Sequence, residues 1–353
     1  MGSGSMADGG PSMRFFPAHR HHRLLCIGSA ILLLSIAAIS GVVSAQTKQL
    51  RLVSTAWPPF TNQPGQPRFA LDLVEAGLGR AGVTANTTIV DAARYTQSLL
   101  GGEFDGSAAA WKDPERERVL LYSQPYLENR LILVARRGGD VSATTLAALK
   151  GKRVAIVEGY AYGEIDNAGP TFVRSRSEED SLGLLLKSTV DYTLMDELVV
   201  QYVVSNYSAE AKARLQFGAT PQLTRPLYLV VKRALPDAEL IVNRFNAQLQ
   251  GMIADRTYNR LLHMDWISAD IDGDGLLEYV PQSDQSGRVQ PQGAYALFSS
   301  GKPAPQPQST QQRFYIGGTV YDSWGAVPDR YKVDDPLHKD PSQQVVPFFR
   351  FTF

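Results

Sequence analysis

Three groups of residues in this 353-residue chain have types and spacings that suit chemistry. The first is Arg116, within the run WKDPERERVLLYSQPY that spans residues 111–126. A guanidinium offers a planar fork that meets a carboxylate through two parallel hydrogen bonds, which a lysine cannot do. Taken alone, an arginine among Lys112, Asp113, Glu115, Glu117 and Arg118 is more often a solvated surface charge. The second group is aromatic. Trp57, Phe60 and Trp111 have faces able to sandwich an apolar body or a cation, although Phe60 reads equally well as core. The third is Asp270-Ile271-Asp272-Gly273-Asp274-Gly275-Leu276-Leu277-Glu278. Carboxylates at its first, third and fifth positions, a turn glycine at the sixth, Leu276 at the seventh and an acid at the ninth suit a hard, oxygen-seeking cation such as Ca²⁺. Pro281 stands where a full twelve-residue calcium loop needs its last glutamate, and Asp-Gly repeats also make plain turns. A bound calcium is therefore expected to be structural.

The elements that must position these residues alternate between two periodicities. Residues 50–54 alternate like a strand, which Trp57-Pro58-Pro59-Phe60 breaks into a loop. Helical spacing of Leu71, Val74 and Leu78 predicts a helix over 69–81, ended by Gly82. A strand at 87–90, a helix at 94–100 and a strand at 104–110 follow. A second unit of the same kind begins near Arg130, with strands at 131–135, 153–157 and 192–195 and helices at 146–149, 181–186 and 197–204. A strand at 227–231 and a long amphipathic helix at 238–253 complete the pattern, with a shorter helix through 262. Such alternation implies an α/β sheet with ligand loops at the strand ends. Asp196 ends the strand at 192–195, where it can face a cleft or cap the helix that follows.

With these residues in place, the chain resembles the bacterial extracellular solute-binding proteins of family 3, whose better-known members are periplasmic amino-acid-binding proteins. Pro114-Glu115-Arg116, then Tyr122-Ser123-Gln124-Pro125-Tyr126, match in spacing the family's T-P-E-R and F-S-D-P-Y segment, and Leu194-Met195-Asp196 matches a downstream one. The resemblance implies a type II periplasmic-binding fold of two α/β lobes, with residues 49–127 and 226–266 in the first, 130–223 in the second, and crossings near 127–130 and 224–226. It further implies that Arg116 clamps a ligand carboxylate, that Asp196 pairs with its ammonium group, and that the lobes close over the solute. Three positions depart from the family. Trp111 stands in place of a small hydroxyl residue, Ala109 in place of a serine, and Ala161 in place of a threonine. With Tyr160 and Tyr162 adding bulk, a narrower and more aromatic pocket is expected. The match stops at residue 266; 267–353 form an extension to which the pattern assigns no fold.

Composition and the first residues complete the expectation. Equal numbers of acidic and basic residues argue against a nucleic-acid partner. Arg14, Arg20 and Arg23 precede an apolar run at 24–43 that ends in Val43-Ser44-Ala45, which predicts an export signal at 1–45 cleaved before Gln46, with an uncleaved anchor as the alternative. Cys26 lies at the start of that run, so the exported chain would hold no cysteine and no span of the membrane. The expected protein is periplasmic, captures a small carboxylate-bearing, amino-acid-like solute, and presents its closed form to an ABC permease or a membrane sensor. The alternatives are a sensory or scaffold module with a degenerate cleft and, behind it, a dehydratase-like enzyme on the same fold. Residues 348–353, aromatic and alternating, suggest an edge strand or a docking segment.

Overall fold

The computed structural model describes residues 48–284, 289–298 and 312–332. The expected export signal, the Pro- and Gln-rich run through residue 311 and the aromatic segment 348–353 lie outside the described residues. In chain order the main body contains β1 (Lys48–Thr55), α1 (Phe69–Arg80), β2 (Val83–Val90), α2 (Ala92–Leu100), β3 (Gly106–Trp111), β4 (Leu120–Tyr122), β5 (Leu127–Arg136), β6 (Arg153–Val157), β7 (Thr171–Ser175), α3 (Glu178–Leu186), β8 (Tyr192–Asp196), α4 (Glu197–Asn206), α5 (Ser208–Arg214), β9 (Leu215–Lys232), α6 (Ala238–Ala254) and α7 (Thr257–Leu262). The strands join in one mixed sheet ordered β2-β1-β3-β9-β5-β8-β6-β7, with β4 also beside β9.

Burial explains why the first strand carries apolar residues on both faces. Leu50 and Leu52 pack with α1, while Val53 packs with Tyr95 and Leu99 of α2. Helices α1 and α6 then meet through Gly77: a β-carbon there would come within 2.7 Å of the Phe245 ring, so only glycine permits this approach. Leu240, which the helical periodicity groups with the buried face of α6, is 47% exposed.

The two halves of the sheet are continuous through the backbone of β9 and β5. The end of β9 pairs with β3 and β4, through Val231 with Gly106 and Lys232 with Leu120. Its beginning pairs with β5 from Arg136–Leu215 to Leu127–Leu227. Between them, Glu128, Asn129 and Arg130 lie opposite Pro226, Arg225 and Thr224. The sequence suggests only a short strand at 227–231, because Pro221 and Pro226 interrupt the apolar pattern. Both are accommodated within an 18-residue strand, and the register shifts beside Pro221, where proline supplies no N–H to the ladder.

The extension, unassigned from sequence, folds as a second small sheet. β10 (Trp266–Ala269) follows α7, and β11 (Glu278–Pro281), β12 (Tyr295–Ala296), β13 (Arg313–Ile316) and β14 (Thr319–Tyr321) complete the order β12-β10-β11-β13-β14. Ile267, Val280 and Leu297 are fully buried and join the main core. Phe314, Ile316 and Val327 form a core of their own beneath Trp266, Tyr279 and Trp324. Polar ties reach the main body as well. The Arg130 guanidinium lies 4.6 Å from the Tyr295 ring centroid and donates to the Ala296 carbonyl at 2.9 Å. The Tyr295 hydroxyl donates to the Glu128 carbonyl at 3.4 Å.

The loop between β10 and β11 is the Asp-rich segment, and Arg313 at the start of β13 inserts into it. Its guanidinium pairs with Asp272 at 3.0 Å, Asp274 at 2.8 Å and Glu278 at 2.7 Å, and Glu278 is fully buried. Replacing Arg313 by methionine keeps the aliphatic stem but leaves Glu278 without a counter-charge. Removing one partner of a buried pair costs about 3–5 kcal/mol. Urea unfolding of Arg313→Met in the presence of a chelator should therefore show a clearly lowered midpoint; an unchanged midpoint would remove this ion-pair hub from the account of the extension.

Candidate functional site

Arg116 opens a short 3-10 turn after β3, and the turn is set by Asp113, whose Oδ1 accepts the backbone N–H groups of Glu115 and Arg116, both at 3.0 Å. The guanidinium is half-buried. Its Nη2 donates to Thr96 Oγ1 at 3.0 Å and to the carbonyl of Gly159 at 3.3 Å, and its central carbon lies 5.9 Å from the Tyr95 ring centroid. Gly159 has φ +80° in the turn after β6, a conformation that aims its carbonyl at Arg116 and suits glycine. Arg225, from β9, does the same for the next residues: its Nη2 donates to the carbonyls of Lys112 and Ala161. Two arginines thus hold the 159–161 turn against the other half of the sheet.

Aromatic rings fill most of the space between. Trp57 is fixed by a tight loop in which the N–H groups of Phe60 and Thr61 both donate to its carbonyl. Its ring stacks on Phe60 at 4.4 Å and meets Trp111 and Tyr160 edge-on at 5.7 and 5.6 Å. Trp111 meets Tyr160 at 5.5 Å and Tyr162 at 5.3 Å. Tyr160 reaches across to the side chain of Thr55, whose hydrogen bond only partly offsets the upward push that burial gives its hydroxyl pKa. A cavity of about 40 Å³ remains, lined by Thr55, Trp57, Tyr95, Ala109, Trp111, Arg116, Tyr160 and Ala161 among others.

Behind this wall runs a sealed polar chain. The Trp111 indole N–H donates to Asn129 Oδ1 at 2.7 Å, and Asn129 Nδ2 donates to Asp196 Oδ2 at 3.2 Å. Asp196 also accepts from the backbone N–H groups of Arg130 at 2.9 Å and Leu198 at 2.7 Å, the latter as cap of α4. Burial pushes its pKa up to about 7 in spite of these donors. Glu178, the first residue of α3, is pushed up further, to about 8, by burial and by the nearby Asp196 charge, with the Trp57 N–H pulling the other way. Its Oε2 and the Trp57 Nε1 are both buried, and neither completes a hydrogen bond.

Of the residues singled out in the sequence, Trp57, Trp111, Arg116 and Tyr160 line the cavity together. Phe60 is fully buried beneath Trp57, and Tyr162 packs behind Trp111 with its hydroxyl accepting from the Val157 N–H at 3.0 Å. Asp196 is buried behind Asn129 and does not line the cavity. Sequence reasoning passed over Tyr95, Asn129, Glu178 and Arg225. Tyr95 reads as one more apolar residue of a helix, and Glu178 as part of an acidic first turn.

In the Asp-rich loop, carboxylate oxygens of Asp270, Asp272 and Glu278 lie within 4.8 Å of one another. Asp270 accepts from the N–H groups of Gly273 at 2.7 Å and Gly275 at 2.9 Å, and Glu278 Oε2 accepts from the Ile271 N–H at 2.9 Å. Leu276 N–H donates to Asp274 at 2.8 Å. The donor set is all oxygen, as a hard cation requires, and the Arg313 guanidinium shares it.

Comparison with known proteins places this geometry. A family model described as bacterial extracellular solute-binding proteins, family 3, matches residues 51–268. The ABC transporter arginine-binding protein 1 of Escherichia coli (strain K12) is 24% identical over 220 residues, covering 59% of this chain and 86% of that protein. An ancestral arginine-binding protein solved with arginine is 25% identical, with a TM-score of 0.51 over 61% of this chain and 96% of its own. The GluR0 ligand-binding core of Nostoc punctiforme, solved with L-glutamate, shares the fold at 17% identity, with a TM-score of 0.50 over 60% of this chain and 96% of its own.

The buried acids set a pH dependence whose sign follows from their shifts. The folded chain keeps a proton on Glu178 up to about pH 8, whereas the ordinary value is 4.5. Folding therefore takes up a proton between those values, so the stability tied to this group is highest below the lower value, falls as pH rises and levels off above the higher one. Asp196 adds a slope of the same sign up to about pH 7. The thermal midpoint should fall from about pH 5 to about pH 8, and Glu178→Gln should flatten that fall. Equal slopes in the two proteins would exclude Glu178 as its source.

Proposed function

The chain belongs to the bacterial extracellular solute-binding proteins, family 3, and on that premise we propose that it is a periplasmic receptor that captures a small carboxylate-bearing solute in the cleft at Arg116. One observation carries this reading: of the described side chains lining the cavity, Arg116 alone is charged at neutral pH. Its Nη2 is engaged by Thr96 and Gly159. The rest of the fork remains to meet an incoming carboxylate, the pairing for which a guanidinium is shaped. Amino acids are the first class to test, since arginine and glutamate appear in the names of relatives.

Capture works by hinge closure. Residues 49–127 with 226–266 act as one lobe, 130–223 as the other, and the paired crossings at 127–130 and 224–226 carry the rotation. Opening parts Arg116 from Gly159 and Arg225 from Ala161 and withdraws Tyr160 from Thr55; closing over a solute restores those contacts around it. The closed form is then read by an ABC permease or a membrane sensor. Among the described residues no helix is long and apolar enough to cross a membrane. A module whose cleft no longer takes a solute is the second reading, favoured by the way Trp57, Trp111 and Tyr160 fill the cleft on their own.

Calcium in the loop of Asp270, Asp272, Asp274, Leu276 and Glu278 is the remaining part of the proposal. Four carboxylates against one guanidinium leave excess negative charge, which a dication relieves while fastening the loop to β13.

Thermal unfolding of residues 46–353 against amino acids, dicarboxylates and short acids tests the receptor. At a ligand concentration a hundred times Kd the native state gains about 2.7 kcal/mol, and Arg116→Ala should abolish that shift. No shift across the panel favours the silent module. For the loop, Ca²⁺ should raise the midpoint relative to a chelated sample, and Asp272→Asn should remove the difference; an identical midpoint with and without Ca²⁺ defeats the metal site.

A further inference from the structure

Taking Arg116 as the anchor for an anion, we infer that the cleft selects a short monocarboxylate that carries no ammonium group, rather than an amino acid. The charge inventory of the site points there. An amino acid brings a carboxylate and an ammonium on one carbon, and a site that takes it needs an acid within reach of the second charge. Among the described lining residues there is no acid; the polar ones besides Arg116 are hydroxyls such as Thr55, Tyr95 and Tyr160.

Two acids stand nearby, and neither lines the cavity. Asp196 has Oδ1 occupied by the Leu198 N–H and Oδ2 by Asn129 and the Arg130 N–H. Asn129 in turn is held by Trp111, whose ring forms the cavity wall. An ammonium group could reach Asp196 only if Trp111 and Asn129 both left, stranding buried polar atoms. Glu178 is buried near the Trp57 indole, its Oε2 and the Trp57 Nε1 both without a completed hydrogen bond, and it does not line the cavity. The second guanidinium, Arg225, already donates to Lys112 and Ala161. An ammonium placed beside Arg116 would therefore be desolvated next to a like charge with no counter-charge, which opposes binding on both counts.

Size and polarity narrow the class further. A water needs roughly 10–15 Å³ of such space, so a solute that leaves the rings where they stand, around a cavity of about 40 Å³, has only a few heavy atoms. With Trp57, Trp111 and Tyr160 on one side and Arg116 on the other, the cavity suits a carboxylate with a one- or two-carbon apolar stem, with or without a hydroxyl or keto oxygen. Acetate, glycolate, propionate, lactate and pyruvate have this chemistry; Ala109 and Ala161 add apolar wall beside them.

Matched skeletons test the inference directly. Isothermal titration calorimetry in a carboxylate-free buffer would compare acetate, glycolate and glycine, then propionate, lactate and alanine, on residues 46–353 and on Arg116→Gln. The expected result is binding of the acids lacking nitrogen, at least 100-fold weaker binding of glycine and alanine, and loss of all binding in Arg116→Gln. Circular dichroism and the conservative Arg116→Lys, expected to bind more weakly than the parent, separate loss of the anchor from loss of the fold. Glycine or alanine binding as tightly as its nitrogen-free partner, and still requiring Arg116, would overturn the selection while leaving the receptor intact. No binding by any acid in either series, or binding that ignores Arg116, would overturn both.

Discussion

Asn129 is the residue on which the cleft depends. It sits in β5 where the two halves of the sheet share backbone, it is fully buried, and its amide must be satisfied there or cost stability. The amide is satisfied by Trp111 on one side and Asp196 on the other. Those bonds fix the indole as a wall of the cavity and turn the acid of β8 away from it. The position of one cavity wall and the exclusion of Asp196 from the cavity thus follow from a single side chain. These are then two consequences of one packing solution rather than separate adaptations.

The same economy governs the 159–161 turn. Its backbone carbonyls would face the opposite half of the sheet without partners if the cleft were lined only by rings. Arg116 and Arg225 supply donors to the carbonyls of Gly159 and Ala161, and the Tyr160 ring between them sits edge-on to both tryptophans. Aromatic edge contacts are each modest in energy but define geometry well. Cation and rings together tie the 159–161 turn to Trp57 and Trp111.

Much of this was legible in the chain. The core strands at 131–135, 153–157 and 192–195 announce themselves as apolar runs, and α1 and α6 by their spacing, because burial imposes the period directly. Arg116 stands out through a motif of fixed spacing, Trp57 and Trp111 through their aromatic faces, and Trp111 also as a departure from that motif's family. What escaped detection depends on distance along the chain. Asn129 acquires its role from Trp111 and Asp196, the latter 67 residues away, and nothing local to Asn129 foretells either partner. β9 hides its length behind two prolines, of which Pro221 sits beside a change of register and Pro226 keeps the pairing unbroken. The extension's strands are two to four residues long, too short for any period to show, and β11 finds β13 across a long intervening segment.

Where the extension touches β5 has a mechanical meaning. Arc length is radius times angle, so contacts beside a rotation axis shift little while those at the rim travel far. Tyr295 and Ala296 meet Glu128 and Arg130, residues of the paired crossing itself. In the proposed rotation about that crossing, Arg225 parts from Ala161 at a distance from the Tyr295 contact, which lies beside the axis. On the proposed hinge the extension is placed like a bearing cap, beside the axis rather than at the rim.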